Sequence, residues 1–227
     1  SMTNDPGAGV YKVPYRWRPM TFKSEGREYF NERAIATQQT GFVLIAQMRS
    51  WLPDAVGGIL WFGVDDANTA VLTPMYTSIT EIPECYRRGN GSMTEFSWTS
   101  AFWIHNWVAN MAYNRYEPMI RDIRPVQKEL EDSYVDLVKN TDAKALELLK
   151  SSPAQATAYL TEVCGKVANE ATARWKKLGE YLLVKYMDGN VKKEKDGKFE
   201  ENGYGQIVSP NFPGYSQEYY DQVAKSG

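Results

Sequence analysis

The sequence has little histidine, little cysteine and almost no net charge. His105 is the only histidine, and Cys85 and Cys164 are the only cysteines among 227 residues. Two separated thiols build neither a disulfide framework nor a zinc cluster, and no H-E-x-x-H motif is present. The formal net charge of −2 gives no basic field for nucleic acid or an anionic membrane, and no apolar run reaches the length of a membrane span. We therefore expect no metal, no cofactor, and no nucleic-acid or membrane partner.

The histidine and the two cysteines do not indicate a catalytic site by themselves. His105 lies within a strongly apolar segment with no local nucleophile or orienting carboxylate, which favours a hydrogen-bonded core histidine. Cys85 precedes Arg87 and Arg88, whose charges could lower the pKa of a thiol, but a half-buried thiol at a strand-to-loop corner is the favoured interpretation. Cys164 falls in an apolar helical stripe and is predicted to pack in the core.

A strand-rich region occupies the first half of the chain. Residues 41–49, 59–64 and 69–76 are short apolar runs, separated by Gly57-Gly58 and by Asp65-Asp66-Ala67-Asn68. Strands joined by such short links are predicted to be antiparallel. The runs are apolar on both faces, which predicts a sheet covered on both sides, as the middle layer of the fold.

A helical region follows from about residue 97. The segment over residues 98–113 is apolar around its whole circumference, which indicates a buried helix. Pro125 suits the first turn of a second helix, and a short third helix is predicted over residues 142–150. After a Ser152 cap, a fourth helix is predicted over residues 154–187. At 1.5 Å per residue it is a rod of about 50 Å, which suggests a helical hairpin.

Two arginines stand in segments whose pattern indicates burial. Arg33 falls in a short helix predicted over residues 31–38, and Arg49 ends the first strand. A buried guanidinium needs an anion as its partner. The structural interpretation is an internal ion pair, with Glu32 or Asp54 as candidate partners. The functional interpretation is contact with a substrate carboxylate or a developing oxyanion.

Two other features have simple structural explanations. Asp65 and Asp66 could bind an amine or a metal, but their place directly after a strand is typical of a turn. Ser1 could serve as an N-terminal nucleophile, with its own α-amine as the base. Residues 1–7 have no strand character, so we interpret the Ser-Met opening as a cloning remnant.

Five segments stand out in the sequence, namely 31–42 (NERAIATQQTGF), 47–53 (QMRSWLP), 58–68 (GILWFGVDDAN), 83–86 (PECY) and 96–103 (FSWTSAFW). They resemble the bacterial PepD-type dipeptidases, which are N-terminal-nucleophile hydrolases, and the resemblance extends from about Tyr15 to Trp175. It implies an α+β fold, namely part of an αββα sandwich with antiparallel strands, followed by a helical region with a long helical hairpin. It also implies that an N-terminal cysteine attacks the peptide carbonyl with its own α-amino group as base. By order along the chain, Arg33 resembles an arginine that related amidases place near that nucleophile.

No cysteine stands at the start of this chain, so we interpret it as the C-terminal portion of a dipeptidase that is inactive alone. Residues 1–14 are predicted to be a remnant and linker, and residues 15–189 the C-terminal part of the catalytic domain. Its strands lie at about 41–76 and its helices at about 97–188. Residues 190–227 are predicted to be a polar tail with a short terminal helix.

The expected partners follow from the same interpretation. The parent protein should take a dipeptide substrate, and this chain should contact the N-terminal half of the same protein. Alone, it should expose apolar surface that favours self-association. The sequence does not indicate a cellular compartment, because its polar N-terminal residues contain no targeting signal and need not belong to the natural protein. Two alternatives remain: a non-catalytic interaction or assembly domain, and part of an amidase of the same superfamily that acts on non-peptide acyl amides.

Overall fold

The chain is a mixed α/β protein with antiparallel sheets and long helices. A computed structural model describes residues 6–31, 33–207 and 214–227. Single 3-10 turns lie at Pro6–Ala8, Glu84–Tyr86 and Met187–Gly189. The strands and α-helices, in chain order, are β1 (Thr21–Ser24), β2 (Arg27–Phe30), β3 (Phe42–Met48), α1 (Asp54–Gly57), β4 (Gly58–Val64), β5 (Thr73–Tyr76), α2 (Ala101–Asn114), α3 (Tyr116–Ser151), α4 (Pro153–Lys185), β6 (Glu194–Lys195), β7 (Lys198–Phe199) and α5 (Gln217–Ser226).

The main sheet has three antiparallel strands in the order β3-β4-β5, which confirms the predicted strands and their direction. The last strand begins at Thr73, later than predicted. The N–H groups of Thr69 and Ala70 both donate to the C=O of Asp66, at 3.1 and 2.8 Å, so these residues complete a turn. Their backbone donors are therefore not free for the ladder.

The segment before β3 differs from the prediction. Strands β1 and β2 form a hairpin that the sequence pattern did not indicate, and the N–H of Asn31 donates to Met20 at 2.8 Å just beyond it. Residues 31 and 33–38 contain no helix, while Glu32 lies outside the described residues. Asn31 therefore extends the hairpin closure and does not cap a helix.

Helix α3 is longer than predicted. It runs without interruption through Pro125, which was expected to begin a helix, and through residue 142, which was expected to begin another. Thr141 and Ala145 are buried beneath the neighbouring elements, and Asp142 binds two side chains of the sheet region. These tertiary contacts hold a polar stretch in the helix, where local propensity alone suggests a break.

Helices α3 and α4 form the predicted long hairpin. Ser152 separates them, and its side chain accepts the N–H of Gln155 at the start of α4, as predicted for a cap. The hairpin packs with α2 around the fully buried Trp175. A second group of core residues joins α4 to the sheet around Ile59 and Leu160.

The sheet is exposed at β3 and buried at β5. Opposed residues of antiparallel neighbours share a face, and the pairs of the β3–β4 ladder place the alternate residues of β3 on the same side as Leu60. On this side Phe42 is 60% exposed, Leu44 48% and Met48 74%. The expectation of a sheet covered on both sides is therefore wrong at β3 among the described residues. The opposite face is buried at Ile59 and Tyr76, but Ile45 of β3 is 54% exposed there as well.

Candidate active-site region

A tight turn follows β4 at residues 65–68, which we call the aspartate turn. Asp65 adopts a left-handed backbone conformation with φ of 67°. Its N–H donates to the C=O of Gly41 at 2.9 Å, which fixes the turn beside the start of β3. The predicted turn chemistry is confirmed.

The two carboxyl groups of this turn are buried, which the turn motif did not predict. Asp65 is 1% exposed and Asp66 is fully enclosed. Asp65 Oδ1 accepts from Asn106 at 2.9 Å, and Asp66 Oδ2 accepts from Tyr15 at 2.5 Å and from Thr69 at 3.0 Å. The other oxygen of each carboxyl group has no hydrogen-bond partner among the described residues. Burial raises the pKa of Asp65 to about 6 and also raises that of Asp66, because removal from water disfavours the charged form.

Tyrosine side chains enclose the aspartate turn. Tyr15 and Tyr113 meet edge to face with 5.0 Å between ring centroids, and no residue in the described ranges forms a hydrogen bond with the hydroxyl of Tyr113. Asn68 Nδ2 donates to Tyr15 Oη at 3.1 Å and to Tyr116 Oη at 2.8 Å, while Arg124 donates to Asn68 Oδ1. Residues distant in sequence thus form one polar network, which extends from the buried carboxyl groups to the exposed Arg124. The only sequence signal for it was a carboxylate pair placed directly after a buried strand.

Arg33 lies at the surface beside a small pocket lined partly by Arg16 and Arg18. The pocket volume is about 10 Å³, roughly the space of one water molecule. Arg16 Nη1 donates to the C=O of Tyr15 at 3.0 Å, so one short segment connects this pocket with the aspartate turn. Arg33 makes no hydrogen bond or ion pair with the residues that the structure describes. Its expected burial is wrong, because the preceding hairpin and loop leave it facing outward.

Arg49 is a structural residue. It is 7% exposed, and its guanidinium binds Asp142 of α3, with Nη2 at 3.2 Å from Oδ1. Nη2 also donates to the C=O of Val56 at 2.5 Å, and Tyr76 donates to the same carboxylate at 2.6 Å. The predicted internal ion pair is confirmed, but its partner is Asp142 and not Asp54. The guanidinium is fully engaged in joining the end of β3 to the helical hairpin.

The histidine and the cysteines are core residues. His105 Nδ1 donates to the C=O of Ala101 at 3.0 Å, and its ring stacks on Trp175 with centroids 5.1 Å apart. Burial lowers the pKa of His105 to about 4. Cys85 and Cys164 are 4% and 1% exposed, and burial raises the pKa of both thiols, that of Cys164 to about 11. Neither thiol supplies a reactive thiolate at neutral pH, because the thiolate is the nucleophilic form.

Within the described ranges, no group of three or more His, Cys, Asp or Glu side chains is arranged to hold a metal ion. None of the helices in those ranges is long and apolar enough to cross a bilayer.

Comparison with known proteins identifies the family. Residues 9–129, more than half of the chain, match the model of peptidase family C69. The chain belongs to peptidase family C69. This confirms the resemblance to dipeptidases, and it places the aspartate turn, Arg33 and the sheet inside the matched region. The match ends within α3, so the second half of the hairpin and the tail lie beyond it.

Two curated relatives carry dipeptidase names. The chain is 31% identical over 143 residues to a "Probable dipeptidase" of Latilactobacillus sakei, covering 62% of this chain and 28% of that protein. It is 28% identical over 167 residues to a "Probable dipeptidase B" of Lactococcus lactis subsp. lactis (strain IL1403), covering 72% of this chain and 33% of that protein. The chain thus aligns with about three tenths of the length of these relatives.

Proposed function

We propose that this chain is the C-terminal portion of a cysteine dipeptidase whose nucleophile lies outside these 227 residues. The family match over residues 9–129 carries the proposal, and the names of the two relatives suggest dipeptides as substrates. The buried thiols support it, since neither Cys85 nor Cys164 can approach a peptide carbonyl without local unfolding.

The proposed reaction needs a thiolate from the remaining polypeptide. Its sulfur attacks the peptide carbonyl carbon, and collapse of the tetrahedral intermediate breaks the C–N bond while the leaving amine takes a proton. Water then hydrolyses the thioester and releases the acid and the thiol. The α-amino group of the nucleophilic cysteine serves as the base, so this route requires no histidine. That agrees with a sole histidine whose ring is enclosed in the core.

Arg33 is the residue of this chain that we propose for the site. Its guanidinium is exposed and unengaged among the described residues, in contrast to Arg49. It is therefore available to bind a substrate carboxylate or a developing oxyanion, for which a planar bidentate donor is well suited. The pocket beside it is too small for a substrate group, so the remaining polypeptide would have to complete the site.

We further propose that the exposed β3 region of the main sheet packs against a second sheet, as in an αββα sandwich. The exposed side chains of Phe42, Leu44 and Met48 support this, because sheet faces with such apolar side chains are normally covered. The second sheet would come from the part of the longer polypeptide that this chain does not align with.

The test is hydrolysis of a dipeptide panel by the 227-residue chain and by a polypeptide of the relatives' length that contains it. We expect turnover by the longer polypeptide and none by the chain alone. Acyl amides without a peptide bond, added to the panel, separate the dipeptidase from an amidase of the same superfamily. Clear turnover by the chain alone would refute the missing nucleophile.

The role of Arg33 is tested in the longer polypeptide. Arg33→Lys should lower kcat/KM roughly tenfold or more, because lysine keeps the charge but loses the bidentate geometry. Arg27→Lys is the matched control, since Arg27 is an exposed arginine of the nearby β2. Equal activity of the two variants would remove Arg33 from the proposed site.

A further inference from the structure

The outer edge of β3 is unusually unprotected. β3 is the first strand of the order β3-β4-β5, so only one of its edges is paired within the part of the chain that the structure describes. Its sequence, FVLIAQM, contains no charge, proline or glycine. Natural edge strands are commonly guarded by lysine, proline or a bulge against pairing with another chain. The charge that follows, on Arg49, is turned inward to Asp142 and does not guard the edge.

The hydrogen bonds at the two ends of β3 show which residues direct their backbone N–H and C=O groups towards the free edge. The N–H of Arg49 donates to Gly57, and Gly41 accepts from Asp65, so the odd-numbered residues bond to β4. The backbone N–H and C=O groups of successive residues point to opposite edges of a strand. The N–H and C=O groups of Phe42, Leu44, Ala46 and Met48 therefore point to the free edge.

The free edge of β3 can pair with the same edge of a second copy. In antiparallel pairing about a two-fold axis at Ile45, Phe42 lies opposite Met48 of a second copy and Leu44 lies opposite Ala46. The free backbone groups of all four residues are then hydrogen-bonded. The pairing opposes no like charges, because β3 contains no charged side chain. The exposed apolar side chains of both copies become continuous on one face. Ile45, which is 54% exposed, meets its own copy at the axis.

The surface of α3 beside β3 carries no unbalanced charge at Asp132 or Lys139. A groove of about 720 Å³ lies between β3 and α3, and Asp132, Val135 and Lys139 line it. Asp132 pairs with Lys128 at 2.6 Å, and Lys139 pairs with Asp136 at 3.0 Å, so both charges are balanced within one copy. Val135, which is 51% exposed, adds apolar surface beside β3.

We propose that the 227-residue chain forms a symmetric dimer through antiparallel pairing of β3 with β3 of a second copy. This association goes beyond the proposed peptidase function and does not depend on it. In the longer polypeptide, the added part would compete for the same region of the sheet. The dimer should therefore be tested with the 227-residue chain, by measuring its mass in solution and not its activity.

Sedimentation velocity over a concentration range of about a hundredfold tests the proposal, because dimerisation follows mass action. We expect a monomer–dimer equilibrium without larger species. Ala46→Pro removes an N–H that faces the free edge and leaves the bonds to β4 in place, so it should raise the dimer Kd roughly tenfold or more. Circular dichroism melting should show a folded variant.

A second variant keeps the test independent of proline. Ile45→Lys places two ammonium groups opposite each other at the axis and should also raise the dimer Kd at least about tenfold. Leu183→Lys is the matched control, because Leu183 is 55% exposed on α4 and far from β3 in sequence. It should leave the Kd unchanged. A monomer throughout the range, larger oligomers, or an equal effect of the Ile45 and Leu183 variants would overturn the proposal.

Discussion

Replacing Asp65 by asparagine should stabilise the chain at neutral pH. The pKa of Asp65 is raised from 3.8 to about 6 by burial, so the folded state retains a proton that the unfolded chain loses between about pH 4 and pH 6. The free energy of unfolding therefore decreases as pH rises from about 4 to about 6, and the whole decrease is present above about pH 6. At about 1.4 kcal/mol per pKa unit, ionised Asp65 costs about 3 kcal/mol of unfolding free energy. Asparagine removes the charge, keeps the oxygen that accepts from Asn106, and tolerates the left-handed backbone.

Urea unfolding of the wild type and of Asp65→Asn at several pH values measures this effect. The variant should be more stable by up to about 3 kcal/mol above pH 7, and the difference should vanish near pH 4. Asp188→Asn is the control, since Asp188 has a similar φ of 57° but is exposed. A gain at neutral pH as large as that of Asp65→Asn would show that burial is not its cause. A variant that is destabilised at neutral pH would show that ionised Asp65 has a favourable partner, and the reasoning would be wrong.

Two further predictions concern buried charged or titratable groups. Arg49→Leu should destabilise the chain by about 3–5 kcal/mol in urea unfolding, because it leaves Asp142 without its cation. Lys144→Leu, which breaks an exposed pair, should cost no more than about 1 kcal/mol, and equal losses would argue against a structural role for Arg49. The pKa of His105 is lowered to about 4, so its stabilising effect is full above about pH 6.5 and is lost as pH falls towards 4. His105→Phe should remove that acid-dependent loss, and an unchanged pH profile would contradict the assignment.

The sequence correctly predicted the strands and helices that are determined by neighbouring residues. The three apolar runs gave β3, β4 and β5, and Ser152-Pro153 marked the start of α4. The pattern fails at Pro125, where it predicts the start of a helix and the structure shows a helix interior. Helix α3 runs through it because buried residues on both sides keep the helix packed, and a single lost N–H does not outweigh that burial.

The candidate site depended on contacts that sequence alone does not specify. Asp142 is 93 residues from Arg49, so nearer acids appeared to be its natural partners. Tyr15 lies 51 residues before Asp66, and nothing in its local sequence indicated a buried hydrogen bond. Arg33 was predicted to be buried because residues 31–38 resemble a helix, whereas the β1–β2 hairpin turns the segment outward. Burial patterns identify polar residues that need partners, but the partners are determined by the tertiary fold.

We propose that the reacting thiol lies outside this chain, and peptide mapping can identify it. The longer polypeptide would be inactivated with a thiol-directed dipeptide analogue and mapped by mass spectrometry in its native state. We predict loss of activity with modification of one cysteine outside Ser1–Gly227, while Cys85 and Cys164 stay unmodified. Loss of activity that follows modification of Cys85 or Cys164 would contradict the account.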